Sequence, residues 1–464
     1  MPPERSTPLD ASFLFLERPA VHMHVAALSI FDPSTRSDGR LRFEDVSATT
    51  AARIHLAPRF RQKVLMVPGN LGLPVWVDDP TFDLGFHVRR AELPKPGTRR
   101  ELAGYVERVL SQQLDRRRPL WELHFIEGLE DDRVATLLKV HHAMIDGIAG
   151  IRLAQAMWDL QPEPPRVPPA PVWQPEPEPS AEALLRSALQ DQLTHPMRAL
   201  ARAVEQVRTS PMLAPLGLGP VARGVRSILD LGARPPSPLD VRIGPERRFA
   251  MTEAPLRRFK DVKDALGGTV NDVVLTVVAG ALHRWLKARK EPTRGRALRV
   301  MVPVSVRAGD DGSTGNRVAP AFVDVPVGAM SPEGRLARIR RGTRHLKESM
   351  MAMSVDAVIG LGAYAPAAFL AAAARAASRG PWFNLVVSNI PGPQQPMYLA
   401  GARLVASYPS MPLGENSALS IACTSFAGVM AFGLTADRGA VPDVDALAEA
   451  IGDSLVELCD AAKV

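Results

Sequence analysis

The residues His141-His142-Ala143-Met144-Ile145-Asp146-Gly147 hold the most chemistry in the chain. An imidazole can accept and return a proton near neutral pH. A carboxylate nearby can fix its tautomer and orientation. Two histidines and an acid in this order are therefore the parts of a general base. The apolar run Val134 to Val140 before them reads as a buried strand, and Ile148, Ile151, Leu153, Met157 and Trp158 after them recur at helical spacing. The seven residues thus sit on a strand-to-helix turn. Asp146 comes four positions after His142, close to one helical turn, and an acid there suits the positive end of the helix dipole. A satisfied turn with Asp146-Gly147 starting a helix fits a bare His-x-x-x-Asp about as well, because five residues carry little information.

The surrounding elements must hold that turn in place. Met23 to Phe31 reads as a strand ending at the turn signal Asp32-Pro33. Phe43 to Ile54 and Glu101 to Leu114 have helical periodicity, Val64 to Val67 and Val75 to Val77 read as strands around a turn, and Leu123 to Ile126 as a further strand. Nine prolines between Pro162 and Pro179 make an extended, stiff connector. Glu182 to Val207 then reads as a helix with a break at Pro196. Its basic residues suit an anionic lipid surface or a solvated crossover equally. After Pro245, strands are expected at Arg247 to Met251, Arg299 to Arg307, Val318 to Val327, Asn384 to Ile390, Tyr398 to Ala406, Ala418 to Thr424 and Val429 to Thr435. Helices are expected at Leu256 to Leu266, Val273 to Leu286, Glu333 to Met351 and Val444 to Leu458, the second capped by Thr269 or Asn271. The pattern is mixed α/β with hairpins rather than a βαβ repeat. The expected division is 1–165, a crossover linker over 166–245, and 246–464.

Composition narrows the partners. The 464 residues carry a net charge of +7, which suits nucleic acid, anionic lipid or an anionic carrier such as CoA. Aromatic residues make up only 5% and no Lys/Arg tract is interleaved with them, so nucleic acid is the weakest of the three. Cys423 and Cys459 lie in apolar surroundings and are expected as free thiols. The N-terminus lacks an apolar signal segment. Ala357 to Ala374 carries no charge, but it is rich in Ala and Gly with Pro366 inside, so a buried or surface-lying helix pair is expected there. No metal-ligand cluster, phosphate-cradling glycine loop or nicotinamide fingerprint stands in the sequence.

The doubled histidine with Asp-Gly resembles the active-site motif of the CoA-dependent acyltransferase superfamily. Leu9-Asp10-Ala11-Ser12-Phe13, Met23-His24-Val25, Pro58-Arg59-Phe60-Arg61, Pro119-Leu120-Trp121, His141-His142-x-x-x-Asp146-Gly147, Asn271-Asp272 and Ser388-Asn389-x-Pro391-Gly392-Pro393 occur in that order. Together they resemble the bacterial wax ester synthase/acyl-CoA:diacylglycerol acyltransferase family over nearly the whole chain. Ala418-Leu419-Ser420-Ile421 departs from the family's usual Gly-Leu-Asn-Ile.

The resemblance implies two chloramphenicol-acetyltransferase-like domains with an active-site tunnel between them. It implies transfer of a long acyl chain from acyl-CoA, a substrate rather than a held cofactor, to diacylglycerol or a fatty alcohol. The expected location is cytoplasmic, with peripheral contact to membrane or lipid droplets. His142 is then the general base. Asp146 is structural and pairs with Arg307, so Asp146→Ala should harm folding as well as rate. His141 bonds to backbone, and Gly147 completes the motif. Asn271 reaches the acyl or tetrahedral oxygen or caps its helix. Trp121 packs beneath the histidine strand. Ser388 and Asn389 meet CoA or form a plain turn. The competing readings are a condensation-type enzyme that makes an amide from carrier-bound substrates, and a non-catalytic lipid-binding protein.

Overall fold

A computed structural model describes residues 4–144, 158–163, 171–190, 234–305, 318–352, 371–372, 375, 380 and 382–464. The N-terminal part runs β1 (Glu4–Arg5), α1 (Pro8–Leu16), β2 (His24–Asp32), α2 (Phe43–Arg53), β3 (Gln62–Leu65), β4 (Val75–Asp78), α3 (Leu84–His87), β5 (Val88–Glu92), α4 (Arg99–Leu110), β6 (Trp121–Glu127) and β7 (Val134–His141). A 3-10 turn over His142–Met144 follows β7 directly. The C-terminal part runs β8 (Arg247–Pro255), α5 (Leu256–Leu266), α6 (Val270–Ala288), β9 (Ala297–Ser305), β10 (Val318–Pro326), α7 (Pro332–Ala352), β11 (Leu385–Pro391), β12 (Tyr398–Leu399), β13 (Ala402–Ser410), β14 (Leu419–Phe426), β15 (Val429–Asp437) and α8 (Val444–Ala462).

These elements lie close to the sequence expectation, with four additions, α1, β5 and the short β1 and α3. The apolar residues of α1 run almost continuously and so show little periodicity. Its signals are local ones: Pro8 in the first turn and Thr7, whose hydroxyl accepts from the Asp10 N–H. β5 is a charged edge strand, Val-Arg-Arg-Ala-Glu, which carries no apolar alternation. The helix expected after Gly147 lies outside the described residues, as do most of Ala357 to Ala374 and the crossover helix beyond 190. The described part of that crossover is helical over 181–190. Its proline-rich lead-in docks on the β3–β4 hairpin, with the Arg61 guanidinium 4.7 Å from the Trp173 ring and Lys63 paired to Glu178 at 2.7 Å.

Two six-stranded sheets form the architecture, in the orders β12-β13-β2-β7-β6-β5 and β10-β9-β11-β14-β15-β8. The sheets do not follow chain order, because β12 and β13 come from the C-terminal part and extend the first sheet beyond β2. β7 lies between β2 and β6 and is antiparallel to both, with His24 opposite His141. Both of its faces are covered. Leu137 packs into the core beneath α4, while Val140 packs with Trp121 and Phe125 on the other face. This burial on two sides is why its sequence is a nearly unbroken apolar run.

The second core is built around α6, which is apolar on nearly all sides and buried. Thr269 and Asp272 form a capping box at its start, and Asp272 also accepts from the Thr343 hydroxyl of α7 at 2.6 Å. Among the described residues no single helix is long and apolar enough to cross a membrane. The pair α5 and α6, bent by 103°, passes such a test only by length and composition, and α6 is the core helix.

The sheets abut where β13 meets β15. A Cβ on Gly433 would lie 1.9 Å from the Pro409 carbonyl oxygen. Ser410 and Thr435 share a hydroxyl hydrogen bond of 2.8 Å beside it. Gly433→Ala must push one backbone off the other, and overpacking of this kind costs about 1–3 kcal/mol. A lower melting temperature is expected, and an unchanged one would rule out the tight approach.

Candidate active site

The His142 turn is held from three sides. From the residue just before β2, the Met23 carbonyl accepts the His142 backbone N–H at 2.7 Å. From α1, the Phe13 ring stacks on the imidazole with centroids 4.0 Å apart and planes 24° apart. From the chain itself, His141 is fully buried, and its Nδ1 accepts the Ala143 N–H at 3.1 Å. An accepting Nδ1 leaves the His141 proton on Nε2. The His141 backbone N–H donates to the Leu120 carbonyl, which ties the strand end to the start of β6.

Phe13 packs against the cores of both halves, and Met23 belongs to the second of them. The His142 turn therefore lies where the two cores meet. His142 keeps part of its surface open. Among the described residues its Nδ1 is enclosed without a hydrogen-bond partner, so Nε2 is the nitrogen left for a substrate. Burial pushes the ring down to about 4, its own main-chain carbonyl opposes the shift, and neighbouring His141 adds to it. At neutral pH the imidazole is uncharged and free to take a proton.

Behind the histidines lies a buried ionic cluster that no spacing in the sequence announces. Glu17, the C-cap of α1, has a side chain only 3% exposed. One carboxylate oxygen stands 3.0 Å from His24 Nε2. The other accepts from Arg116 Nε at 3.0 Å and Nη2 at 2.8 Å. It also faces His141 Nε2 at 3.7 Å, too long for a hydrogen bond. Burial alone would raise the Glu17 carboxyl, but the facing His141 and His24 rings outweigh it and hold it well below the usual carboxylate range. Burial pushes His24 down to about 3 and lowers His141 too, while the facing Glu17 opposes both shifts.

Trp121 takes the packing role expected of it. It is 2% exposed, its Nε1 donates to the Phe60 carbonyl at 2.8 Å, and its ring stacks on His87 at 4.6 Å. Thr269, not Asn271, caps α6, so the half-buried Asn271 side chain in the first turn is not used as the cap. Ser388 is buried and Asn389 half-buried on β11, opposite Ala422 and Cys423 of β14, so they stand in a strand rather than a turn. Among the described residues, none of these three hydrogen-bonds to or stacks on His142. Ser420, at the departure from the family pattern, donates its hydroxyl to the Met411 carbonyl at 3.0 Å. Asp146, Gly147 and Arg307 lie outside the described residues. Both cysteines are buried free thiols.

Comparison with known proteins places this geometry. The sequence model for the wax ester synthase/diacylglycerol acyltransferase catalytic domain matches residues 7–274, and that for the family's C-terminal domain matches 314–459. The chain belongs to the wax ester synthase/diacylglycerol acyltransferase family. It is an acyltransferase. Two relatives in this family come from Mycobacterium tuberculosis, a putative and a probable diacylglycerol O-acyltransferase. Each is 34% identical, and the match covers 97% of this chain and 98% of the relative. The solved wax ester synthase/diacylglycerol acyltransferase of Marinobacter aquaeolei VT8 superposes with a TM-score of 0.68 at 28% identity, covering 99% of this chain and 100% of that one. The first condensation domain of the calcium-dependent antibiotic synthetase shares the fold alone, with a TM-score of 0.59, 15% identity, and 100% of this chain and 96% of that one covered. Family membership therefore sets aside the condensation-type reading.

Proposed function

We propose that this acyltransferase moves a long acyl chain from acyl-CoA to the hydroxyl of diacylglycerol, of a long-chain fatty alcohol, or of both. The observation that carries the reading is the neutral, partly open His142 imidazole at the meeting of the two cores. The names of the relatives and of the Marinobacter enzyme support the choice of acceptors.

A thioester is already activated, so no covalent enzyme nucleophile is needed. A hydroxyl is a poor nucleophile until its proton is partly removed. His142 Nε2 takes that proton as the oxygen attacks the thioester carbonyl. The tetrahedral intermediate collapses, the C–S bond breaks, and the imidazolium returns the proton to the departing CoA thiolate. Asn271 offers an amide N–H to the developing oxyanion. Asp146 pairs with Arg307 and holds the turn after His142. Ser388 and Asn389 contact CoA. The enzyme meets its lipid acceptor by peripheral contact with a membrane or lipid droplet.

The test is purified protein with palmitoyl-CoA and either hexadecanol or dioleoylglycerol, reading released thiol and lipid product together. Acceptor-dependent thiol release with the matching ester is expected. If neither acceptor yields ester while lipid still binds, the chain is a non-catalytic lipid-binding protein.

A further inference from the structure

We propose that Glu17 is a positioning residue for His142, acting through three contacts that converge on the catalytic turn. It rests on the reading of His142 as the base. The first contact is with α1 itself. Glu17 caps this helix through its backbone N–H to the Phe13 carbonyl, so fixing Glu17 fixes the ring that stacks on His142. The second is with the start of β2 and the residue before it. The Glu17 carboxylate faces His24 Nε2 at 3.0 Å and the Met23 N–H at 3.4 Å, and the Met23 carbonyl is the acceptor for the His142 N–H. The third is with β7, where the carboxylate faces the Nε2 proton of His141, the residue before the base.

Arg116 locks the arrangement. It donates two N–H groups to Glu17, and its Nη2 also reaches the Leu14 carbonyl at 2.8 Å. The pair is thus internally neutral. Lys139, the other cation near His24, is occupied by the Val109 and Gln112 carbonyls at the end of α4. A buried carboxylate with one cation and two imidazoles is costly to leave half-satisfied. Simple packing of α1 could be achieved with an apolar residue at this place. The acid does what an apolar residue cannot: it accepts from Arg116 and from the Met23 N–H while facing the His24 and His141 rings, and so ties these segments together.

Glu17→Gln keeps the shape and removes the charge. The amide has one acceptor oxygen in place of two, so it cannot accept from Arg116 on one side and from the Met23 N–H on the other, and the supports of His142 loosen separately. Misplacing a catalytic group by about 1 Å can cost on the order of a hundredfold in rate. A fall in kcat of about ten- to hundredfold is expected, with KM for palmitoyl-CoA changed little. The second readout is NMR of histidine-labelled protein, with the His142 signals identified by their loss in His142→Ala. Ring protons over the Phe13 face are shielded, and in Glu17→Gln they should move towards the shifts of free histidine.

Parent kcat in folded Glu17→Gln would overturn the proposal. So would a loss of kcat with His142 ring shifts unchanged, which would mean a purely structural role. If Glu17→Gln does not fold, Arg116→Gln serves, because that side chain is 36% exposed. It should show the same two changes at about tenfold in kcat, and parent values for both in the folded protein would overturn the proposal equally. Activity surviving in His142→Ala would instead sink the functional reading, and the two failures are thereby told apart.

Discussion

His142→Ala is expected to lower kcat by about 10²- to 10⁴-fold, the usual contribution of a positioned general base, while the protein stays folded. The ring's Nδ1 is enclosed without a partner among the described residues, so removing it strands no donor or acceptor among them. The lost contact is the stack on Phe13, and a modest fall in melting temperature follows from that alone. His141→Ala should behave in the opposite sense. Its fully buried ring accepts the Ala143 N–H and faces Glu17, so truncation strips support from the turn and costs stability first.

The same imidazole sets the pH dependence. It works as a base only when neutral. With its value pushed down to about 4, kcat/KM should stay flat from neutral pH well below 6.5 and fall only near the lowered value. Stability moves over a different range. His24, His141 and His142 are all lowered by burial, while in the unfolded chain they protonate near the ordinary 6.5. The unfolded state therefore binds more protons below 6.5, and stability is full above that value and lost as pH falls towards the folded values. Rate must be read on a timescale shorter than acid unfolding. A reversible acid limb centred near 6.5 in folded protein would contradict the lowered ring value, and full turnover in His142→Ala would exclude this base.

Trp121→Ala is expected to have the largest effect on stability, about 3–5 kcal/mol, typical of a fully buried Trp cut to a methyl group. Three losses add. The ring leaves a cavity between Phe60 and His87, the Phe60 carbonyl loses its donor, and the stack on His87 disappears. Trp121 is paired in register with Val140, directly before the histidines, so the end of β7 should loosen as well. Denaturant unfolding of the parent, Trp121→Phe and Trp121→Ala separates the contributions. The Phe variant retains most of the packing and loses the N–H bond, and it should fall between the other two. A Trp121→Ala protein with parent stability would show that the ring is not part of the core that holds the histidine strand.

Much of this protein is legible along the chain. The apolar runs and periodicities locate the strands and helices to within a few residues, because each buries a face through its own sequence. The contiguous His141-His142 motif marks the chemistry, because both residues and the strand that presents them are neighbours in the chain. Periodicity alone does not find α1 or the charged edge strand β5, since neither shows the apolar alternation that burial of one face produces.

What no local pattern carries is which strands meet and which distant side chains converge. That β12 and β13 join the first sheet rather than the second follows from edge pairing, and every strand edge offers the same N–H and C=O groups. Glu17 reaches Arg116 across 99 positions of sequence and His24 across a chain reversal. A buried charge is tolerated only where its partners are brought to it. The sequence by itself determined the imidazole proposed as the base and the strand that bears it. The tertiary fold alone decided what stands behind that imidazole, because Glu17, Arg116, His24 and His141 come from segments that only packing brings together.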